Sequence, residues 1–152
     1  MSTTLTGPDL TQRPPRSPRV RLGGYALLPR ALDKCRATLA GKNGDYHYDC
    51  PLDQHFFNFT GVNAEALKAE VAKGKGDGEL LEWVQANSAI KRSPWEVIAW
   101  SDYQERRGPD SDAETFTWFA GAVAKLTTTR EDVRTWAELL DLDDHCSFGG
   151  KA

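Results

Sequence analysis

The densest run of reactive side chains in this 152-residue sequence is Tyr46-His47-Tyr48-Asp49-Cys50-Pro51-Leu52-Asp53-Gln54-His55. Imidazole, thiol, phenol and carboxylate groups this close together are the raw material of general acid–base, nucleophilic or metal chemistry. The spacing narrows that choice. HxDC followed by DxH matches no ligand pattern of a known metal site, so no metal and no other cofactor is expected. Cys50 and His47 make a poor nucleophile–base pair, because near neighbours in sequence rarely present the required geometry. The remaining use is as the wall of a pocket, and whether the chain is an enzyme stays open.

A second concentration lies just upstream, in Arg13–Arg36, RPPRSPRVRLGGYALLPRALDKCR, where six arginines and one lysine face a single acid, Asp33. Arginine presents a planar fork of donors that suits a carboxylate or a phosphate. Prolines at 14, 15 and 18 hold such a segment extended. Two uses follow. In the first, Arg16, Arg19, Arg21 and Arg30 bind a small anionic ligand, while Tyr25, His47 and Asp49 shape the site or act on the bound group. In the second, the arm is an internal clamp that pairs with acids of its own protein, and the chain is a non-enzymatic structural or interaction module. Gly23-Gly24 admits a close backbone approach to an anion before a helix start, and equally a simple chain reversal. It is no P-loop, since GxxxxGK[ST] is absent.

Charge layout bears on both uses. Residues 1–42 carry eight Lys/Arg against two acids, +6, whereas residues 43–152 carry eleven against twenty, −9. An acidic body repels a polyanion away from any one basic patch, so nucleic acid is not expected as a partner. No run of eighteen apolar residues exists to span a membrane, and the first residues lack the apolar stretch of a secretory signal. Three widely spaced cysteines, Cys35, Cys50 and Cys146, read as free thiols of a cytoplasmic protein.

The elements that must position these groups read as short helices. Pro29 suits a first turn, Leu28, Leu32, Cys35 and Leu39 recur at helical spacing, and Gly41 stops the run. Pro51 opens a second helix with Leu52, Phe56 and Phe59; Asn63 caps a third, AEALKAEVAK; and a fourth near Gly78–Ser88 buries Leu80, Leu81 and Val84. Three S/T-x-x-E boxes, Ser93–Glu96, Ser111–Glu114 and Thr128–Glu131, mark further starts. Behind them, Phe116, Phe119, Ala120 and Val123 line one helix, and Val133, Trp136, Ala137 and Leu140 another. Asn43-Gly44 offers a small hairpin turn. The fold expected is all-α: a single compact domain of six or seven short helices over residues 25–152, with an extended Arg/Pro-rich N-terminal arm, residues 1–24, packed on it.

The acids Asp102, Asp110, Asp112, Glu114, Asp141, Asp143 and Asp144 read as caps and as partners for the arginine arm; the DxDxDG pattern of a calcium loop is missing. Five tryptophans are many for this length. Trp118 falls off the Phe116/Phe119/Val123 stripe, which suits a protein partner or a second copy of the chain.

Four blocks in order, DLTQRPPRSPRVRLGGYALLPRALDKCRATLAGKNGDYHYDCPLDQ, SPWE, GPDSDAETF and LLDLDDHCSFGGKA, carry a resemblance to a bacterial domain of unknown function, DUF5069, over nearly the whole chain. That resemblance implies a small stand-alone bacterial protein and transfers no activity and no catalytic residue.

Overall fold

The computed structural model describes residues 6–109 and 111–152. Residues 1–5 of the expected arm, and Asp110, lie outside them. A two-stranded antiparallel hairpin, β1 (Arg21–Leu22) and β2 (Tyr25–Ala26), is followed by seven helices: α1 (Leu28–Leu39), α2 (Pro51–Thr60), α3 (Ala64–Val71), α4 (Asp77–Asn87), α5 (Pro94–Arg106), α6 (Ala113–Leu126) and α7 (Trp136–Ser147). The chain is thus a mostly α-helical single domain, as its periodicity predicts.

Of the two turns expected from glycine pairs, the hairpin settles one, and the other differs from expectation. Gly23 and Gly24 have φ of 59° and 86°, the positive values that a two-residue hairpin loop requires, so the pair is the chain reversal. A side chain at Gly23 would also collide with Leu81. Asn43-Gly44 closes no hairpin; Asn43 instead donates its side-chain amide to the Tyr46 carbonyl, which tightens a local turn.

The main core gathers Tyr25, Leu28, Leu32, Cys35, Phe56, Phe57, Leu67, Leu80 and Val84 from β2 and α1–α4. Aromatic rings of α2 and α5 fix its edge: Phe59 stacks on Trp100 at 4.7 Å, and Tyr25 meets Phe56 edge-on at 5.6 Å. A smaller cluster joins Phe119 of α6 to Val133, Leu139 and Leu142. Only Phe119 is buried on α6, leaving Phe116 and Trp118 59% and 63% exposed. Trp118 therefore stands outside the core, as its register predicts, and so does Phe116, which the stripe places inside.

The expected starts at Ser93 and Asn63 hold: Ser93 N–H donates to Glu96, and Asn63 accepts from Ala66 N–H. The expected start at Ser111 moves by one residue to Asp112, whose carboxylate accepts from Thr115 N–H at 2.7 Å. The Thr128 box forms no helix. Thr127 Oγ1 there lies 3.3 Å from both Thr129 N–H and Arg130 N–H, a turn that competes with helix initiation. Nine residues separate α6 from α7, and the box that operates is Thr135–Glu138.

The described part of the arm is held at several points. Leu10, 1% exposed, donates its N–H to the Lys42 carbonyl, and Leu27 donates to Pro18. Its arginines then reach several helices in turn.

Candidate functional site

Helix α1 carries two different faces. Leu28, Leu32 and Cys35 point into the core, while Arg30 and Lys34, one turn apart, are buried on another face. Buried cations need partners. Arg30 forms a two-point pair with Asp144 of α7 at 2.8 and 3.3 Å, and Lys34 pairs with Asp53 of α2 at 2.9 Å. Each of these four side chains is more than nine-tenths buried. Tyr46 adds its hydroxyl to Asp144 at 2.6 Å, and its ring lies under the Arg30 guanidinium. Burial first, and this hydrogen bond second, raise the phenol, which keeps its proton and donates it to Asp144.

These residues form one wall of a cavity of about 770 Å³, bounded by the arm at Leu10, the 44–52 segment and α7. Cys50 lines it, with its sulfur accepting from the Lys34 ammonium at 3.2 Å. His47 and His55 line it as well. Arg107, at the C-terminal cap of α5, lines it too. Its carbonyl accepts from Trp136 N–H, which ties the end of α5 to the start of α7, and its guanidinium sits 5.8 Å from the Trp136 ring centre.

Arg107 differs from the other arginines of the molecule's interior. Among the described residues it has no carboxylate within ion-pair distance, and its Nε is shut off from water without an acceptor. Burial holds the guanidinium below its usual range. The same charge reaches His55, whose imidazole is lowered first by burial and second by Arg107, so it favours the neutral form. Gln104, 95% buried, holds His55 from behind through Nε2 at 3.4 Å from Nδ1.

The residues expected at the site are thus dispersed. Arg30 and His47 reach the cavity. Arg16 spans Asp33 of α1 and Asp77 of α4, Arg21 spans Asp102 and Glu105 of α5, and Arg19 meets Asp141 of α7 at 3.2 Å. Tyr25 is packed in the aromatic core. Asp49 is exposed beside the start of α2, with φ 61°, donating its N–H to Asp53 and accepting from Gln54. Lys34, Arg107 and Trp136 were not among the expected site residues. Arg107 reads in sequence as an ordinary basic helix end before Gly108-Pro109, and nothing local says that α7 will bury it. Among the described residues no group of three His, Cys, Asp or Glu side chains is placed to hold a metal ion.

The chain belongs to a family of unknown function: the model of the domain of unknown function DUF5069 matches residues 12–146. No match was found among curated proteins. No helix among the described residues is long and apolar enough to cross a membrane.

Proposed function

We propose that this protein binds a small anionic ligand in the cavity between α1, the 44–52 segment and α7, with Arg107 as the group that meets the anion. The observation that carries this reading is the guanidinium of Arg107 in the cavity wall without a carboxylate partner among the described residues. A cation partly withdrawn from water regains some of its lost hydration energy in charge-assisted bonds to an anion. Arg30 and Lys34 contribute to the wall but are held by Asp144 and Asp53, and they lend rigidity. The arm contributes Leu10 and Thr11 to the rim, so its arginines support the site by fixing the arm rather than by touching the ligand. Thermal-shift titration with millimolar benzoate, acetate, phosphate and citrate tests it. Binding to the native state raises the midpoint, and no shift with any anion counts against the reading.

A second reading, an interaction module with the arm as an internal clamp, draws on two observations. Arg16 and Arg21 each bridge two carboxylates, and α6 leaves Phe116 and Trp118 largely exposed. Sedimentation equilibrium addresses it, and a chain that stays monomeric at high micromolar concentration speaks against self-association through α6.

A further inference from the structure

We infer that the ligand is a singly charged carboxylate with an apolar body, and that phosphate and polycarboxylates are excluded. This rests on the anion-site reading above and specifies its ligand. Three cations line the cavity, and two are already matched: Arg30 by Asp144 and Lys34 by Asp53. Among the described residues one guanidinium, that of Arg107, is left for one negative charge. His55 adds none, since burial and Arg107 both favour its neutral form.

The rest of the wall opposes further negative charge. Asp143 stands at the cavity beside Asp144. Desolvation, and then Asp144, raise its carboxyl, with Arg30 pulling the other way. A phosphate dianion or a second carboxylate brought here would meet that acid with no cation left to offset it. Apolar groups make up the larger part of the lining, with Leu10, Leu52, Leu140, Phe148 and the Trp136 ring, while Asp45 adds a further acid and Thr11, His47 and Ser147 a few polar groups. Phosphate presents acceptor oxygens on every side, and a largely apolar wall that also carries Asp45 and Asp143 meets only some of them with donors. A carboxylate carries its acceptors at one end, which suits a single planar guanidinium, while a hydrocarbon or aromatic remainder covers the apolar wall.

The experiment compares benzoate, its neutral isostere benzamide and inorganic phosphate on the full chain, by calorimetry and by NMR of the Trp136 indole and His55 ring signals. Benzoate is expected to bind at least about tenfold more tightly than benzamide or phosphate, the loss of one charge-assisted hydrogen bond, and to move both signals. R107Q removes that preference. Should R107Q fail to fold, the ring signals of the unmodified chain still locate the bound anion. Phosphate binding at Arg107 more tightly than benzoate overturns this inference and leaves the anion site standing. Equal binding of benzoate and benzamide overturns the inference and shows a merely apolar pocket. Failure of all three to bind, with no anion active in the thermal-shift panel either, overturns the anion site itself.

Discussion

Arg30 and Asp144 lie 114 residues apart in sequence and meet at 2.8 Å, their side chains only 4% and 8% exposed. The pair joins the first helix to the last and forms the floor of the cavity, with the Tyr46 hydroxyl and the Arg16 carbonyl filling further positions around it. A pair this deep gains little over a well-packed apolar contact, yet breaking it strands a charge.

Asp144→Ala is therefore expected to destabilise the fold by about 3–5 kcal/mol, because Arg30 stays buried and loses its counter-charge. Tyr46→Phe removes only one hydrogen bond and is expected to cost about 1–2 kcal/mol. Urea unfolding of the two variants checks the ranking, and equal effects would show that Arg30 finds water when Asp144 is gone.

Asp77 anchors the arm from α4, receiving Arg16 at 2.8 Å and Arg36 at 2.8 Å. The hydrogen bond from Arg16, with that from Arg36 behind it, holds its carboxyl below the usual 3.8. A carboxylate lowered by folding adds stability that is complete above its unfolded value and is lost as pH falls through its folded value. Asp77→Asn is thus expected to lower stability at pH 7 and to flatten the fall in stability below about pH 4. Parallel acid limbs in both proteins would remove Asp77 from that role.

The cap that starts α7 is Thr135, whose hydroxyl accepts from Glu138 N–H while Glu138 returns a bond to Thr135 N–H. Thr135→Ala is expected to cost about 1 kcal/mol, and Thr128→Ala, at an exposed loop position, to stay within about 0.5 kcal/mol. Chemical denaturation of both variants tests this, and a larger effect at Thr128 would contradict the assigned start.

Six helices are legible in the sequence because a proline, a capping residue or an apolar period marks each locally: Pro29, Pro51, Asn63, Leu80 with Val84, Ser93, and Phe119 with Val123. The Thr128 box misleads because Thr127 offers the same backbone a turn, a competition that the S/T-x-x-E pattern does not encode. The arginine arm is legible as a charge surplus, whereas the choice of Asp33, Asp77, Asp102 or Asp141 as partner is fixed only by helix packing. Of the cavity, the Tyr46–His55 run supplies one wall by contiguity. Arg107 and Trp136 arrive from distant segments, and what sets Arg107 apart is that no carboxylate among the described residues pairs with it, which no single sequence displays.

The three thiols divide by burial. Cys35 is fully buried among α1 and α3 side chains, and that burial pushes its thiol up to about 12, while Cys50 and Cys146 are half-buried. Alkylation is carried by the thiolate. Iodoacetamide at pH 8 is expected to modify Cys50 and Cys146 in the native protein and Cys35 only after unfolding, read by peptide mass spectrometry. Early modification of Cys35 would show that α1 opens locally.

His55 reports on Arg107 directly. Burial is the larger cause of its lowered pKa, and the Arg107 charge adds to it. A neighbouring cation disfavours the imidazolium, so removing that charge must raise the pKa, and because burial remains, the rise must stop short of the ordinary 6.5. Arg107→Gln is therefore expected to shift the His55 titration upward by part of its displacement. A carboxylate bound at Arg107 acts in the same direction, since it cancels the charge without removing the side chain. NMR titration of the ring protons separates the two causes. An upward move in R107Q and in the benzoate complex locates the anion at Arg107. A His55 that ignores both changes would mean that water screens Arg107 from the cavity, and the cavity would then lack the unmatched charge from which its ligand was inferred.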